Sequence, residues 1–279
     1  MGFKFTKWQG AGNDFVIVNG FAEKIFDYEK TAIAVCNRNF GIGADGLVII
    51  LPSNVADFKM RIFNSDGSEA EMCGNVTRCV ARYVYENHLT EKTKISLETK
   101  AGIIKPEIIF ENGCFSQVKV DMGEPILEGN LIPAIGFGNN KIINEKVKLD
   151  QSEYNVTCVY MGNPHCIIFV DDVEKIALET IGPKLEIHNI FPKKINVEFA
   201  QVKSNSSIRM RVWERGAGIT MACGTGSCAT LVASVLNEKT QRQATLELDG
   251  GNLFIEWGED NHVYMSGPAK EVFRGEYLS

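Results

Sequence analysis

Residues 60–78 and 210–228 of this 279-residue chain repeat one another at an offset of 150. Met60-Arg61-Ile62-Phe63-Asn64 aligns with Met210-Arg211-Val212-Trp213-Glu214, and Met72-Cys73-Gly74-Asn75 aligns with Ala222-Cys223-Gly224-Thr225. The offset also joins Gly12-Asn13-Asp14-Phe15 to Gly162-Asn163-Pro164-His165, and each of these precedes an apolar run, 16–18 and 166–170. A repeat this long implies one set of elements built twice. The chain is therefore expected to form two similar domains, each offering one Cys-Gly at the same place.

The length of the chain suits two domains. A stretch rich in Gly and Pro, 122–140, reads as the boundary. The expected domains are 1–122 and 123–268, with 269–279 returning to the first. Strand formers dominate 15–19, 47–51, 58–63 and 95–121 in the first half, and 156–160, 166–170 and 208–213 in the second. A helix is expected over 28–38, with Ile33, Val35 and Cys36 on its apolar face. Val76, Val80 and Val84 recur every four residues, which predicts an amphipathic helix from Cys73 to Glu86. Its counterpart begins just after Cys223 and runs to Leu236. A short helix over 173–181 is expected to close at Gly182-Pro183.

Composition narrows the function classes. The net charge of −6 leaves no basic excess to neutralise phosphates, so neither nucleic acid nor an acidic membrane surface is an expected partner. No stretch approaches the length of a membrane helix, and no apolar leader opens the sequence, so a cytoplasmic location is expected. The eight cysteines then read as thiols rather than disulfides. Cys73/Cys79 and Cys223/Cys228 lack zinc-ligand spacing, and no metal is expected. Cys36, Cys114, Cys158 and Cys166 read as small buried hydrophobes.

Cys73 and Cys223 differ from these, because each sits where a polar, glycine-containing loop turns into a helix. A helix start carries free N–H groups and the positive end of the dipole. Two consequences are expected: a depressed thiol pKa, and a seat for a carboxylate on the N–H groups at Gly74, Asn75, Gly224 and Thr225. One thiolate could remove the α-proton of an amino acid while the opposite thiol reprotonates the other face. The helix ends would stabilise the enediolate-like charge. That reaction inverts a stereocentre without a cofactor.

Five segments in order carry a family resemblance: Gly10-Ala11-Gly12-Asn13-Asp14-Phe15, Asn64-Ser65-Asp66-Gly67-Ser68-Glu69, Met72-Cys73-Gly74-Asn75, Gly162-Asn163-Pro164-His165, and Glu214-Arg215-Gly216-Ala217-Gly218 with Ala222-Cys223-Gly224-Thr225-Gly226. Nearly end to end, the chain resembles the diaminopimelate epimerases, which are pyridoxal-independent. The resemblance implies an α/β (α+β) fold of two similar domains, each a mixed sheet wrapped around a central helix, with the active site in the cleft. It places the catalytic pair on Cys73 and Cys223, and substrate contacts on Asn13, Asn64, Asn163, Asn196, Glu214 and Arg215. His165 and Glu214 would tune the thiols. The implied reaction is conversion of LL-2,6-diaminopimelate to the meso form, within lysine biosynthesis. The expected partners are a small amino-acid substrate and a second copy of the chain. Val76-Thr77-Arg78, Gly46 and Ile219 depart from the commonest pattern of the family.

Three other readings compete. A racemase of another amino acid, such as histidine, fits the same scaffold. A non-catalytic amino-acid-binding protein explains a carboxylate seat but not two matched sulfurs. Gly41-Ile42-Gly43-Ala44-Asp45-Gly46 matches a dinucleotide fingerprint, but an apolar strand follows it where a helix should begin.

Overall fold

The computed structural model describes residues 2–278, which form two compact units, 2–121 with 266–278, and Met122–Met265. In the first unit the chain runs β1 (Phe3–Gly10), β2 (Asn13–Asn19), α1 (Tyr28–Cys36), β3 (Gly46–Leu51), β4 (Phe58–Asn64), β5 (Glu69–Ala70), α2 (Gly74–Glu86), β6 (Leu97–Thr99), β7 (Gly102–Ile104), β8 (Glu107–Glu111) and β9 (Cys114–Asp121). The C-terminal strand Lys270–Tyr277 pairs antiparallel with β1, and the sheet continues from β1 through β2, β3, β4 and β6 to β7. β8 and β9 form an antiparallel hairpin.

The second unit contains β10 (Glu145–Leu149), β11 (Ser152–Tyr160), β12 (Pro164–Phe169), α3 (Leu178–Glu186), β13 (Asn196–Ser204), β14 (Ser207–Glu214), β15 (Gly218–Ile219), α4 (Gly224–Leu236), β16 (Gln243–Leu248), β17 (Gly251–Trp257) and the first three residues of β18 (Val263–Gly267). Its strands follow the order β10-β11-β12-β13-β14-β16-β17-β18.

The sequence repeat is a repeat of topology. β1–β2 is antiparallel, β2–β3 parallel, β3–β4 antiparallel, β4–β6 parallel and β6–β7 antiparallel. The pairs β11–β12, β12–β13, β13–β14, β14–β16 and β16–β17 repeat that succession of directions. In each unit the sheet wraps the helix that follows its cysteine. α2 packs on β1, β2, β8 and β9, and α4 on β11, β12, β13, β16 and β17. α2 is buried on nearly every side, with Asn75, Thr77 and Arg78 inside as well as Val76, Val80 and Val84. The Arg78 guanidinium is held by carbonyl oxygens, donating to Pro268 at 3.2 Å and to Gly74 at 3.5 Å.

Three local expectations need correction. Ile33 is half exposed, and α1 buries Ala32, Val35 and Cys36 instead. Cys114 is exposed on β9, at the turn of the β8–β9 hairpin. The helix expected over 173–181 is a 3₁₀ turn, Val173–Lys175, followed by α3, which contains Gly182 and Pro183. Gly182 does not end the helix. It lets α3 seat on β14, because a Cβ there would come within 2.7 Å of the Trp213 side chain. No helix among the described residues is long and apolar enough to cross a membrane.

Candidate active site

Both cysteines are helix N-caps with extended backbone, Cys73 at the head of α2 and Cys223 at the head of α4. Each is fixed by a hydroxyl four residues on. Thr77 Oγ1 donates to the Cys73 carbonyl at 3.0 Å and Ser227 Oγ to the Cys223 carbonyl at 2.8 Å. Thr77 and Ser227 stand 150 positions apart, so the repeat itself signals them.

The two sulfurs live in different surroundings. Cys73 is half-buried, and its Sγ lies 3.9 Å from Asn13 Oδ1. Asn75 Nδ2 donates to that same oxygen at 3.2 Å, while Asn75 Oδ1 is buried without a hydrogen-bond partner. Behind Asn13 stands an ionic lattice. Asp45 accepts from the Asn13 amide and Asp14 pairs with Lys7, while Arg38 donates to both Asp14 and Asp45. Burial opposes charge on Asp14, but Arg38 and Lys7 hold its carboxyl below the usual range. The loop that mimics a dinucleotide fingerprint serves this lattice. Gly43 has φ +78° and its carbonyl accepts from Lys7, and Gly46 opens a strand.

Cys223 is buried. Its sulfur accepts from the Gly226 N–H at 3.4 Å and lies 3.5 Å from Thr225 Oγ1. Its thiol also meets the Glu214 carboxylate, which accepts from Thr220 Oγ1 as well. Burial, followed by the charges of Glu214 and Glu198, pushes the Cys223 thiol well above the ordinary range, against the helix start and Thr225. The expectation of a depressed pKa therefore fails at this cysteine, because desolvation and two carboxylates outweigh a helix end. Burial likewise raises the Glu214 carboxyl.

His165 lies on β12, fully buried. Its Nδ1 is 2.7 Å from Glu198 Oε1 and its Nε2 2.8 Å from Asn163 Oδ1. The parallel pairing of β12 with β13 sets His165 beside Asn196, and Glu198 follows two residues later on the same face. Asn196 spends its amide on backbone, donating to the Pro164 carbonyl at 2.8 Å and accepting from the Arg215 N–H at 2.9 Å. It positions the loop that carries Arg215. The Arg215 side chain is exposed and donates to the Lys193 carbonyl at 3.2 Å. Asn64 is also exposed, at the end of β4, and donates to Ser68 Oγ at 3.0 Å.

Two acidic residues escaped the sequence reading. Glu198 is fully buried between His165 and the first turn of α4, where a Cβ on Gly226 would lie 2.6 Å from its Oε1. Glu186 accepts from Trp213 Nε1 at 2.7 Å and from the Gly216 N–H at 3.2 Å, and so holds the turn after Glu214.

A mixed α/β fold is built twice, with a cysteine heading each central helix. The sequence profile of diaminopimelate epimerase matches residues 5–128 and 157–272. Diaminopimelate epimerases from Methanococcus maripaludis strain C5 and Pelotomaculum thermopropionicum are 55% and 54% identical to the chain, over 98% of its length and 99% and 98% of theirs. The chain belongs to the diaminopimelate epimerase family and is an isomerase. Among solved structures, a PhzF-family phenazine biosynthesis protein from Bacillus anthracis has the same fold, with a TM-score of 0.73 at 18% identity over the whole of both chains. A probable proline racemase from Agrobacterium radiobacter does so with a TM-score of 0.71 at 14% identity, over 98% of this chain and 92% of that one.

Proposed function

We propose that the chain interconverts LL- and meso-2,6-diaminopimelate in the cytoplasm by cofactor-independent two-base chemistry, with Cys73 and Cys223 as the acid–base pair. The observation that carries the mechanism is the matched capping of α2 and α4 by two cysteines in unlike surroundings. A two-base inversion needs one sulfur protonated and one not at the start of each turnover. Cys223, buried beside two carboxylates, is suited to hold its proton. Cys73, the less buried sulfur and the N-cap of α2, takes the thiolate role.

In the forward direction the Cα–H bond breaks, its proton passes to the Cys73 sulfur, and the electron pair spreads into the substrate carboxylate. The Cys223 S–H then supplies a proton to the opposite face. The N–H groups at the starts of α2 and α4 bind the carboxylate and stabilise the extra charge. Glu214 acts on the Cys223 thiol. Arg215 offers a planar guanidinium to the distal carboxylate, and Asn13, Asn64 and Asn163 offer amides to the rest of the substrate.

Purified protein given LL-diaminopimelate should produce the meso form. Cys73→Ala and Cys223→Ala should each lower kcat/KM by about 100-fold or more, whereas Cys114→Ala should not. Near-normal turnover by either of the first two variants would overturn the two-thiol assignment. Arg215→Met should impair diaminopimelate more than α-proton exchange on a small amino acid. A higher kcat/KM for histidine than for LL-diaminopimelate would overturn the substrate and leave the chemistry standing.

A further inference from the structure

His165, Glu198 and Cys223 are separated by tens of residues in the sequence, so no ligand spacing announces them. The fold nevertheless brings one donor atom of each within 4.8 Å of the other two, with all three side chains buried. Glu198 has one oxygen to spare: Oε1 meets His165 Nδ1, while Oε2 is buried without a hydrogen-bond partner. Asn163 Oδ1 stands 2.8 Å from His165 Nε2. When a cation takes Nδ1 in place of the proton shared with Glu198, the Asn163 carbonyl holds the remaining ring proton on Nε2, as in metal-bound histidines whose second nitrogen is held by an outer acceptor.

Imidazole nitrogen, carboxylate oxygen and thiolate sulfur are together the donors that zinc takes, in a tetrahedral shell with a fourth position left for solvent. Magnesium and calcium prefer oxygen alone. We propose that His165 Nδ1, Glu198 and Cys223 Sγ form a binding site for a borderline-soft divalent cation of the zinc class. Binding exchanges the Cys223 S–H bond for a sulfur–metal bond and releases that proton to solvent. The cation meets the carboxylate through the oxygen that lacks a partner. A metal-bound Cys223 has no proton to give, so the cation acts as a reversible inhibitor.

The test uses the full-length, reduced, chelator-treated protein. Cadmium serves as an optical probe through its sulfur-to-metal absorption band, and zinc is measured by equilibrium dialysis. One cation should bind per chain, with proton release. The cadmium band should vanish in Cys223→Ala and persist in Cys73→Ala. Asn163→Ala, which removes the outer acceptor, should weaken zinc binding about 10–100-fold, and Glu198→Gln should weaken it at least about as much. In the wild-type protein, zinc should shield Cys223 from iodoacetamide and a chelator should restore alkylation, a reading that needs no variant. Loss of the band in Cys73→Ala, unchanged zinc affinity in Glu198→Gln, or alkylation of Cys223 at the same rate with and without zinc would each overturn the site. None of these readings depends on epimerase activity, so failure here is distinct from failure of the proposed function.

Discussion

Glu198 Oε1 lies 2.7 Å from His165 Nδ1, with both side chains fully out of solvent. The pair stands beneath the first turn of α4, and the charge of Glu198 reaches Cys223. In the proposed acid–base pair, Cys223 thus lies beside buried carboxylates and Cys73 beside amides. This asymmetry leads to predictions about pH, packing and stability.

Glu214→Gln should move the alkaline limb of the pH–rate profile to lower pH. An acid catalyst works while protonated, so activity falls as pH rises through its pKa. Glu214 raises the Cys223 pKa by its charge, and a neutral amide in its place lets that pKa drop. Profiles of kcat/KM for wild type and variant check the shift. An unmoved alkaline limb would show that Glu214 does not act on Cys223.

Gly226→Ala should destabilise the protein and damage the site together. The new methyl would lie 2.6 Å from Glu198 Oε1 and 3.2 Å from Cys223 Sγ, inside van der Waals contact of both. Overpacking of this kind costs about 1–3 kcal/mol. The repeat places Val76 at the matching position of α2, where a side chain fits. Urea denaturation and steady-state kinetics should both register the change. A variant as stable and as active as wild type would contradict the packing described here.

The repeat shows why part of the site was legible from sequence and part was not. The 150-residue offset exposes both cysteines, both central helices and the order of the strands around them, because each is local and occurs twice. Glu198 stayed hidden because Val197-Glu198-Phe199 looks like a strand with one residue facing solvent, and its partner is 33 positions away. Only the parallel pairing of β12 with β13 reveals the contact. Gly182-Pro183 misled because a breaker pair is read locally, whereas Trp213 dictates the glycine. The pKa of Cys223 was misjudged for a related reason. The helix start is visible in the sequence, but burial and a distant carboxylate are not.

Glu186→Ala should cost about 1 kcal/mol, because two part-buried donors lose a charged acceptor but keep some access to water. Trp213 Nε1 and the Gly216 N–H both donate to this carboxylate. The turn carrying Arg215 would loosen, so KM for diaminopimelate should rise more than kcat falls. A variant with wild-type KM would remove Glu186 from any role in holding that turn.

Stability should decline between pH 9 and 12 through two buried thiols outside the proposed acid–base pair. Burial pushes Cys36 and Cys79 each up to about 12, from an ordinary thiol value of 9.0. A raised folded-state pKa means that the unfolded chain ionises first. The contribution is therefore complete below pH 9 and lost as pH rises toward 12. Urea midpoints measured across that window should fall less steeply for Cys79→Ala than for wild type. Parallel curves would contradict the shift at Cys79.

The most direct test of the central claim is turnover of LL-diaminopimelate in deuterium oxide, followed by proton NMR and mass spectrometry. Two-base chemistry predicts that meso-diaminopimelate, analysed at its first appearance, carries one deuteron at the inverted carbon and none at the other. It also predicts that neither Cys73→Ala nor Cys223→Ala forms this product at a comparable rate. Meso product that keeps protium at the inverted carbon, or labelled product formed at the wild-type rate by either variant, would contradict the account.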